Sequence, residues 1–320
     1  MNRFYRIRHM TQFRYDTPVS ESLMELRMHP RTEGLQRCLS FEVKIDPRAQ
    51  VSGYREYLGN SIHHFDVPGK HMQLRIVTES LVEVQEGPAV PAAPEADGWR
   101  ELDALAAAGD YWEMLMPSQF AQPSAALREL AATLKVRRRG DPLSFIRELN
   151  GAVHDWFDYV PKATRVDSPI DHAIETRKGV CQDFAHIMIA LAREVKIPCR
   201  YVSGYLCPRP DKSDRSIEGA SHAWVEALLP GYGWTGFDPT NNLEAGGRHI
   251  RTAVGRDYAD VPPTRGIFKG NAKSELSVMV HVALSDAPVP EQEPTSAPEW
   301  HEAQEADPVD VQQQQQQQQQ

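Results

Sequence analysis

The sequence predicts an α+β protein, in which a small antiparallel β domain precedes a core built from helices and an antiparallel sheet. Over the first 87 residues apolar side chains recur at every second position, whereas from about residue 100 they recur at helical spacing. Further along, a strongly apolar helical segment leads directly into short strands joined by turns. A helix followed by an antiparallel meander is typical of α+β domains.

The N-terminal domain is predicted over residues 1–87. Its strand segments are rich in Val, Ile, Phe, Tyr and Thr and are separated by Asp-Pro, Leu-Gly-Asn and Pro-Gly turn signals. These segments are 5–15, 39–45, 61–67 and 74–84. A proline-rich stretch at 86–94 then predicts a linker, so we interpret 88–122 as a linker with a first helical segment.

The core is predicted over residues 123–284. Ser124 is placed as the cap of one helix, and Asp141 followed by Pro142 is placed at the start of the next. An apolar helix is predicted over 181–195, where Ile197 and Pro198 stop it. Predicted strands follow at 199–206, 221–229 and 234–238, with a closing strand of the core at 276–284.

The charge is concentrated at the C-terminus. The 320 residues hold 44 acidic and 35 basic side chains, but 285–320 alone contains eight acidic and no basic residues. That tail, which ends in nine glutamines, is predicted to be disordered. The remaining chain is nearly neutral, which argues against a general nucleic-acid binder. We interpret the run Arg137–Arg139 as a solvated loop.

The cysteines and the hydropathy indicate a compartment. Cys38, Cys181, Cys199 and Cys207 form neither a C-x-x-C pair nor a zinc-binding spacing. The N-terminus lacks the apolar region of a signal peptide, and 18 apolar residues nowhere follow one another. We therefore expect a soluble, cytoplasmic protein without a membrane partner, and we expect Cys199 and Cys207 to be unpaired.

Cys181 has the position of a nucleophile. It begins the apolar helix, where free backbone N–H groups and the positive end of the helix dipole stabilise a thiolate. The same N–H groups can bind the oxyanion formed when a thiolate attacks an amide. A base must accept the thiol proton and a third group must orient that base, and the candidates are His222 and Asp238.

The register of the predicted hairpin decides whether this base and this orienting group meet. If Leu229 lies opposite Gly233, Asp238 faces Trp224 and lies diagonal to His222, within reach of a hydrogen bond. A shift of the register by one residue puts the two side chains on opposite faces of the sheet. The spacing alone leaves both registers open.

Each of the three residues also has a structural explanation. Cys181 belongs to an apolar helical stripe, His222 fits a hydrogen-bonded strand histidine, and Asp238 precedes a proline as a turn opener. For Asp183, a role at the helix dipole is favoured over that of a catalytic acid. Taken together, and in this order along the chain, the three candidates favour catalysis.

The motifs around these residues resemble the core of the transglutaminase-like superfamily. They read GVCQDFA at 179–185, SHAWVE at 221–226 and GWTGFDPTN at 233–241. Segments at 8–11, 26–31 and 58–60 are similar to the β domain that precedes this core in bacterial members, and 255–261 resembles a segment that follows it. The resemblance implies a papain-like core and a triad of Cys181, His222 and Asp238.

We expect from this a cysteine enzyme without cofactor or metal that acts on a peptide or protein amide. Hydrolysis is preferred, because nothing in the sequence marks a site for an amine acceptor and water is always present. The alternatives are a protein-glutamine acyltransferase and a catalytically silent scaffold that binds peptides. The loop 208–219, just before His222, either gates the site or simply connects two strands. The oligomeric state stays open.

Overall fold

The computed structural model describes residues 2–87, 97–209, 211, 214–216 and 219–287. Nearly all of the predicted linker at 86–94 and of the predicted tail at 285–320 lies outside the described residues, so both stay predictions. Among the described helices, none is long and apolar enough to cross a membrane. The cytoplasmic location likewise stays a prediction.

The described chain begins with strands, as the sequence pattern predicts, continues with helices from Gly98 onward, and ends with further strands. The helices are α1 (Gly98–Ala108), α2 (Trp112–Leu115), α3 (Ala125–Thr133), α4 (Pro142–Trp156), α5 (Ile170–Thr176) and α6 (Cys181–Glu194), with a short 3-10 helix at Tyr258–Asp260. The strands are β1 (Asn2–Leu26), β2 (Gln36–Asp46), β3 (Ser52–Arg55), β4 (Ser61–Gln85), β5 (Asp158–Tyr159), β6 (Lys178–Gly179), β7 (Cys199–Leu206), β8 (His222–Leu229), β9 (Gly233–Asp238), β10 (Leu243–Glu244), β11 (His249–Gly255), β12 (Thr264–Lys269) and β13 (Ser274–Ser285).

The N-terminal sheet is built on two long strands, β1 and β4, each of 25 residues. The sequence predicts two strands in place of β4, because Pro68 and Gly69 give a turn signal between them. The structure keeps the strand continuous: Pro68 pairs with Glu21, and the irregular pairing falls between Arg14 and Glu21 of β1. An irregularity of this kind lets a strand pass a proline without ending the sheet.

The predicted closing strand of the core belongs to the other sheet. The segment at 276–284 forms β13, but β13 pairs with β1, with Val282 opposite Ile7. β12 also pairs with β1, so the end of the described chain returns to the N-terminal sheet. Val280 is buried there beside Tyr5 and Val82. The assignment of this strand to the core is therefore wrong, because alternation predicts a strand but not its partner.

The core places α6 against a five-stranded antiparallel sheet in the order β10-β9-β8-β7-β11. Twelve of the fourteen residues of α6 are buried. The predicted helix caps are confirmed: the Ser124 hydroxyl accepts the Leu127 N–H at 3.0 Å, and the Asp141 carboxylate accepts the Ser144 N–H at 2.8 Å. The α+β class and the antiparallel meander are thereby confirmed.

The pairing of β8 with β9 selects one of the two registers. Leu229 lies opposite Gly233 and Val225 opposite Phe237. This is the register that brings His222 and Asp238 to one face of the sheet. Strand β11, absent from the sequence prediction, lies beside β7, and the two strands approach so closely that a Cβ on Gly204 would clash with the Ile250 carbonyl oxygen.

Candidate active site

Cys181 is the first residue of α6 and is half-buried. The helix start is fixed by Asp183, whose carboxylate accepts the backbone N–H of Val180 at 2.8 Å and the hydroxyl of Thr164. Gly179 leaves room for this carboxylate, since a Cβ there would lie 3.0 Å from it. Burial raises the pKa of Asp183, and this effect outweighs the hydrogen bonds, which lower it. Asp183 therefore holds the helix terminus that carries Cys181, as the sequence predicts.

His222 and Asp238 are in direct contact on one face of the core sheet. The Nε2 atom of His222 lies 2.8 Å from Oδ2 of Asp238, and both residues are buried. Burial alone would lower the pKa of His222, but the Asp238 carboxylate and a contribution from Cys181 outweigh it and raise the pKa. Burial would raise the pKa of Asp238, but the hydrogen bonds and charge of His222 hold it well below its usual value.

Five donors surround the Asp238 carboxylate. Oδ1 accepts the backbone N–H groups of Thr240 at 3.0 Å and Asn241 at 3.2 Å. Oδ2 accepts His222 Nε2, the Asn241 side-chain amide at 2.8 Å, and His249 Nε2 at 3.2 Å. A carboxylate held by this many donors is a fixed anion, so it orients His222.

The other ring nitrogen of His222, Nδ1, faces away from this network. Among the described residues, Nδ1 has no partner that meets hydrogen-bond geometry, although it is buried. The Cys181 side chain, through hydrogen bonding and charge, adds to the increase in the pKa of His222. The structure therefore brings the three predicted residues into one site.

His249 is the member of this site that the sequence analysis missed. It begins β11 and is buried, and its Nδ1 accepts the backbone N–H of Gly246 at 3.2 Å. That bond leaves the proton on Nε2, which donates to Asp238. The sequence did contain a signal for this strand: a Gly246-Gly247 turn is followed by β-branched residues at every second position from 250 to 254, a pattern typical of a strand.

The same cluster has the residue types of a metal site. The ligand atoms of His222, Asp238 and His249 lie within 4.8 Å of one another. A metal on His249 would need the Nε2 lone pair and hence a proton on Nδ1, where Gly246 already donates. His249 in this tautomer therefore does not fit a metal ligand, and hydrogen bonds account for the contacts of His222 and His249 with Asp238, at 2.8 and 3.2 Å.

The loop before His222 is docked next to the carboxylate. Asn241 donates to Asp238 and accepts the backbone N–H groups of Arg215 at 2.7 Å and Ser216 at 3.3 Å. Asp214 makes two contacts with Arg248, at 2.8 and 2.9 Å. Parts of the loop lie outside the described residues, so the question whether it gates the site stays open.

A cavity of about 470 Å³ lies against His222. Its walls come from the end of β7, the docked loop and β13 of the N-terminal sheet. Among its lining residues are Leu206, Pro208, Ser216, Val280 and Val282. The N-terminal sheet therefore forms part of the surroundings of the histidine, and most of the wall is apolar.

The remaining candidates have structural surroundings. Trp224 is buried in the sheet, and the partly exposed Trp234 ring covers the Arg200 guanidinium at 4.4 Å. Cys199 and Cys207 are free and buried, and burial raises the pKa of Cys199 to about 12. In the run at 137–139, Arg138 binds Asp103 at 2.8 Å, consistent with a solvated loop.

Fold and site together define a class of protein: an α+β core in which a helix-start cysteine meets a histidine and an aspartate on neighbouring strands, preceded by a β domain. Two family models match in the same order. Residues 5–83 match the bacterial transglutaminase-like N-terminal region, and residues 129–239 match the transglutaminase-like superfamily.

Individual relatives also match the chain. An uncharacterized protein of Mycobacterium leprae is 33% identical over 278 residues, which cover 87% of this chain and 97% of the relative. The protein-glutamine gamma-glutamyltransferase of Pseudomonas aeruginosa is 28% identical over 180 residues, which cover 54% of this chain and 25% of the relative. The chain belongs to the transglutaminase-like superfamily.

A solved structure shares the fold. The Cytophaga hutchinsonii protein named "a Putative Cysteine Protease" superimposes with a TM-score of 0.68 at 20% sequence identity, covering 90% of this chain and 93% of that one. The expected family and fold class are confirmed. At this identity the likeness speaks for the fold alone.

Proposed function

We propose that this protein is a cysteine-dependent hydrolase of peptide or side-chain amides, with Cys181 as nucleophile, His222 as general base and acid, and Asp238 as orienting group. The observation that carries the proposal is the 2.8 Å contact between His222 Nε2 and Asp238 Oδ2, which leaves Nδ1 for the thiol. This order of groups is the arrangement that nucleophilic catalysis requires.

Activation of the nucleophile follows from the charges around it. When the thiol proton moves to His222 Nδ1, a thiolate and an imidazolium form side by side. The Asp238 carboxylate stabilises the imidazolium, and the N-terminus of α6 stabilises the thiolate. Neither charge is left unpaired in the buried site, so the ion pair is an accessible ground state.

The reaction then runs in two halves. The Cys181 sulfur bonds to the amide carbonyl carbon, and the resulting oxyanion is bound by the free backbone N–H at the start of α6. The carbon–nitrogen bond breaks as the imidazolium of His222 gives its proton to the leaving amine, which leaves an acyl thioester. His222 next takes a proton from water, the hydroxyl displaces the sulfur, and a carboxylic acid leaves.

Acyl transfer is the second candidate, and one observation favours it. The Pseudomonas aeruginosa relative carries the name of a glutamine gamma-glutamyltransferase. Transfer shares the thioester with hydrolysis and differs only in the group that attacks it, because an amine replaces water. The acceptor therefore distinguishes the two candidates, and the residues of the triad do not.

The test uses the purified chain, a set of glutamine-containing peptides and an amine probe such as biotinylated pentylamine. Mass spectrometry then separates two products: a new carboxylate from hydrolysis and a probe-labelled amide from transfer. We expect cleaved or deamidated peptide without incorporated probe. Incorporation of the probe into most of the product would assign the protein to the transferases instead.

The matched variants are Cys181→Ala and Cys38→Ala. We expect Cys181→Ala to lose product formation by at least about 10³-fold while keeping its fold, because the bond-forming sulfur is gone. Cys38→Ala, at a half-buried thiol of the N-terminal sheet, should keep full activity. Equal activity in both variants would refute the mechanism. A wild-type protein that gives neither product but binds the peptides would favour the scaffold.

A further inference from the structure

The hydrogen bonds of His249 define its protonation state beside Asp238. Its Nδ1 is occupied by the Gly246 N–H, so the ring is neutral and presents its Nε2 proton to Asp238 Oδ2 at 3.2 Å. Burial lowers the pKa of His249, which favours this neutral form. His249 thus offers one donor to the same oxygen that binds His222.

The turn that fixes His249 is itself held by the N-terminal sheet. The hydroxyl of Tyr5, a buried residue of β1, donates to the Gly247 carbonyl at 2.6 Å. The next contacts in line are Gly246 to His249 and His249 to Asp238. Three hydrogen bonds, joined through the covalent backbone of Gly246 and Gly247, therefore connect the first strand of the chain to the carboxylate that binds His222.

We propose that His249 is a positioning residue of the triad and that the N-terminal sheet, through Tyr5 and the turn at 246–247, keeps it in place. The β domain is then a working part of the catalytic core. This inference rests on the triad proposed above. Its test follows His222 directly and needs no substrate, so its failure is distinguishable from failure of the proposed hydrolase.

The expected effect follows from competition between donors for one oxygen. The bond from His249 matters most when His222 is neutral, because Asp238 then lacks a charged partner. Removing that bond therefore favours the protonated form of His222. Among the described residues, the titratable and charged groups that act on the two rings are Cys181, Asp238 and Arg248, and Asp214 and His281 line the cavity beside His222.

The test compares His249→Leu, which has no donor, with His249→Gln, whose amide nitrogen can take the place of Nε2. The ring signal of His222 is titrated by NMR in histidine-labelled protein and assigned by its loss in His222→Gln. We expect the pKa of His222 to rise by about 0.5 to 1 pH unit in His249→Leu and to return toward the wild-type value in His249→Gln. An unchanged titration in folded His249→Leu would overturn the proposal.

The role of the N-terminal sheet is tested with Tyr5→Phe, which removes only the hydroxyl. We expect a smaller rise of the His222 pKa than in His249→Leu, and no additional rise when Tyr5→Phe is combined with His249→Leu. Tyr15→Phe is the matched control, since Tyr15 is a buried residue of the same strand whose hydroxyl contacts Ser22 at 3.4 Å. It should leave His222 unchanged.

Two results would overturn this second part: no effect of Tyr5→Phe, or an effect of equal size in the presence and absence of His249. Should His249→Leu fail to fold, the milder variants His249→Gln and Tyr5→Phe still decide the matter. The proposal then stands only if Tyr5→Phe raises the pKa of His222 and Tyr15→Phe does not.

Discussion

Two buried histidines of this protein behave in opposite ways. His222 lies in the core sheet with its Nε2 2.8 Å from Asp238, and His9 lies in the N-terminal sheet with its Nδ1 2.9 Å from the hydroxyl of Tyr205. The rings are similarly buried, with residue exposures of 4% and 2%. Yet Asp238 raises the pKa of His222, whereas burial lowers that of His9 to about 4.

The comparison teaches that the partner, and not the burial, decides what a buried imidazole can do. The Tyr205 hydroxyl makes a hydrogen bond with His9 but does not compensate the positive charge that the ring would carry if it were protonated. A carboxylate compensates the charge of the imidazolium, so His222 can hold a proton in a buried position, which the proposed mechanism requires. His9 and Tyr205 instead join the N-terminal sheet to β7 as a neutral contact.

The largest effect is expected when the surroundings of His222 are made like those of His9, with a neutral partner in place of the carboxylate. Asp238→Asn keeps the size of the side chain and removes its charge, so His222 becomes a buried imidazole with a neutral partner. We predict that kcat/KM for the amide substrate falls by about 10³-fold or more, and that the pKa of His222, followed by NMR, drops below its usual value.

The matched control is Asp141→Asn. Asp141 also accepts a backbone N–H at 2.8 Å, but at the start of α4, where asparagine caps a helix equally well. This variant should keep its activity. Full activity in Asp238→Asn would contradict the assignment of Asp238.

The converse change places a carboxylate beside His9. Thr11 Oγ1 lies 3.3 Å from His9 Nε2 in a buried position. Thr11→Asp should therefore raise the pKa of His9 by about 2 pH units or more, as measured by NMR. Thr11→Asn has nearly the same shape without the charge and should leave the pKa low. If His9 has the same pKa in both variants, the charge of the partner does not explain the difference between His9 and His222.

The smallest effect concerns stability. Burial lowers the pKa of His9 to about 4 in the folded chain. The unfolded chain therefore binds a proton on His9 at about pH 6.5, whereas the folded chain binds it only at about pH 4. Stability is therefore lost as the pH falls from about 6.5 to 4, by up to about 3 kcal/mol. His9→Gln keeps a polar contact for Tyr205 and does not titrate, so it should lose less stability over this range.

Urea unfolding at several pH values measures this difference. The control is His64→Gln, an exposed histidine on β4, which should keep the pH dependence of the wild type. Identical pH dependences of the wild type and His9→Gln would show that His9 titrates in the folded protein as it does in the unfolded chain.

Much of the site follows from local patterns in the sequence. Helix caps, the start of α6 at Cys181, and the alternation of the three strands after it depend on neighbours within a few residues, and all of these agree with the structure. The contact of His222 with Asp238 needed one more fact, the register of a hairpin. Spacing allowed two registers, and the pairing of Leu229 with Gly233 selects between them.

The parts that sequence reasoning missed depend on distant segments of the chain. Strand β13 alternates like any strand, but its partner β1 lies more than 250 residues earlier, and periodicity carries no information about partners. His249 was missed for the same reason, because its importance comes from the place of β11 beside β7. The contact of Tyr5 with the turn before His249 joins residues that are 242 positions apart, so it could be identified only in three dimensions.

One measurement tests the central claim most directly: the rates at which iodoacetamide alkylates Cys181, Cys38 and Cys199 between pH 5 and 8, read for each thiol by mass spectrometry. Burial raises the pKa of Cys38 to about 11 and that of Cys199 to about 12, so both should react slowly. We predict that Cys181 reacts at least about tenfold faster at pH 7, and that Asp238→Asn removes most of this advantage. A Cys181 that reacts no faster than Cys38, in wild type and variant alike, would contradict the proposed triad.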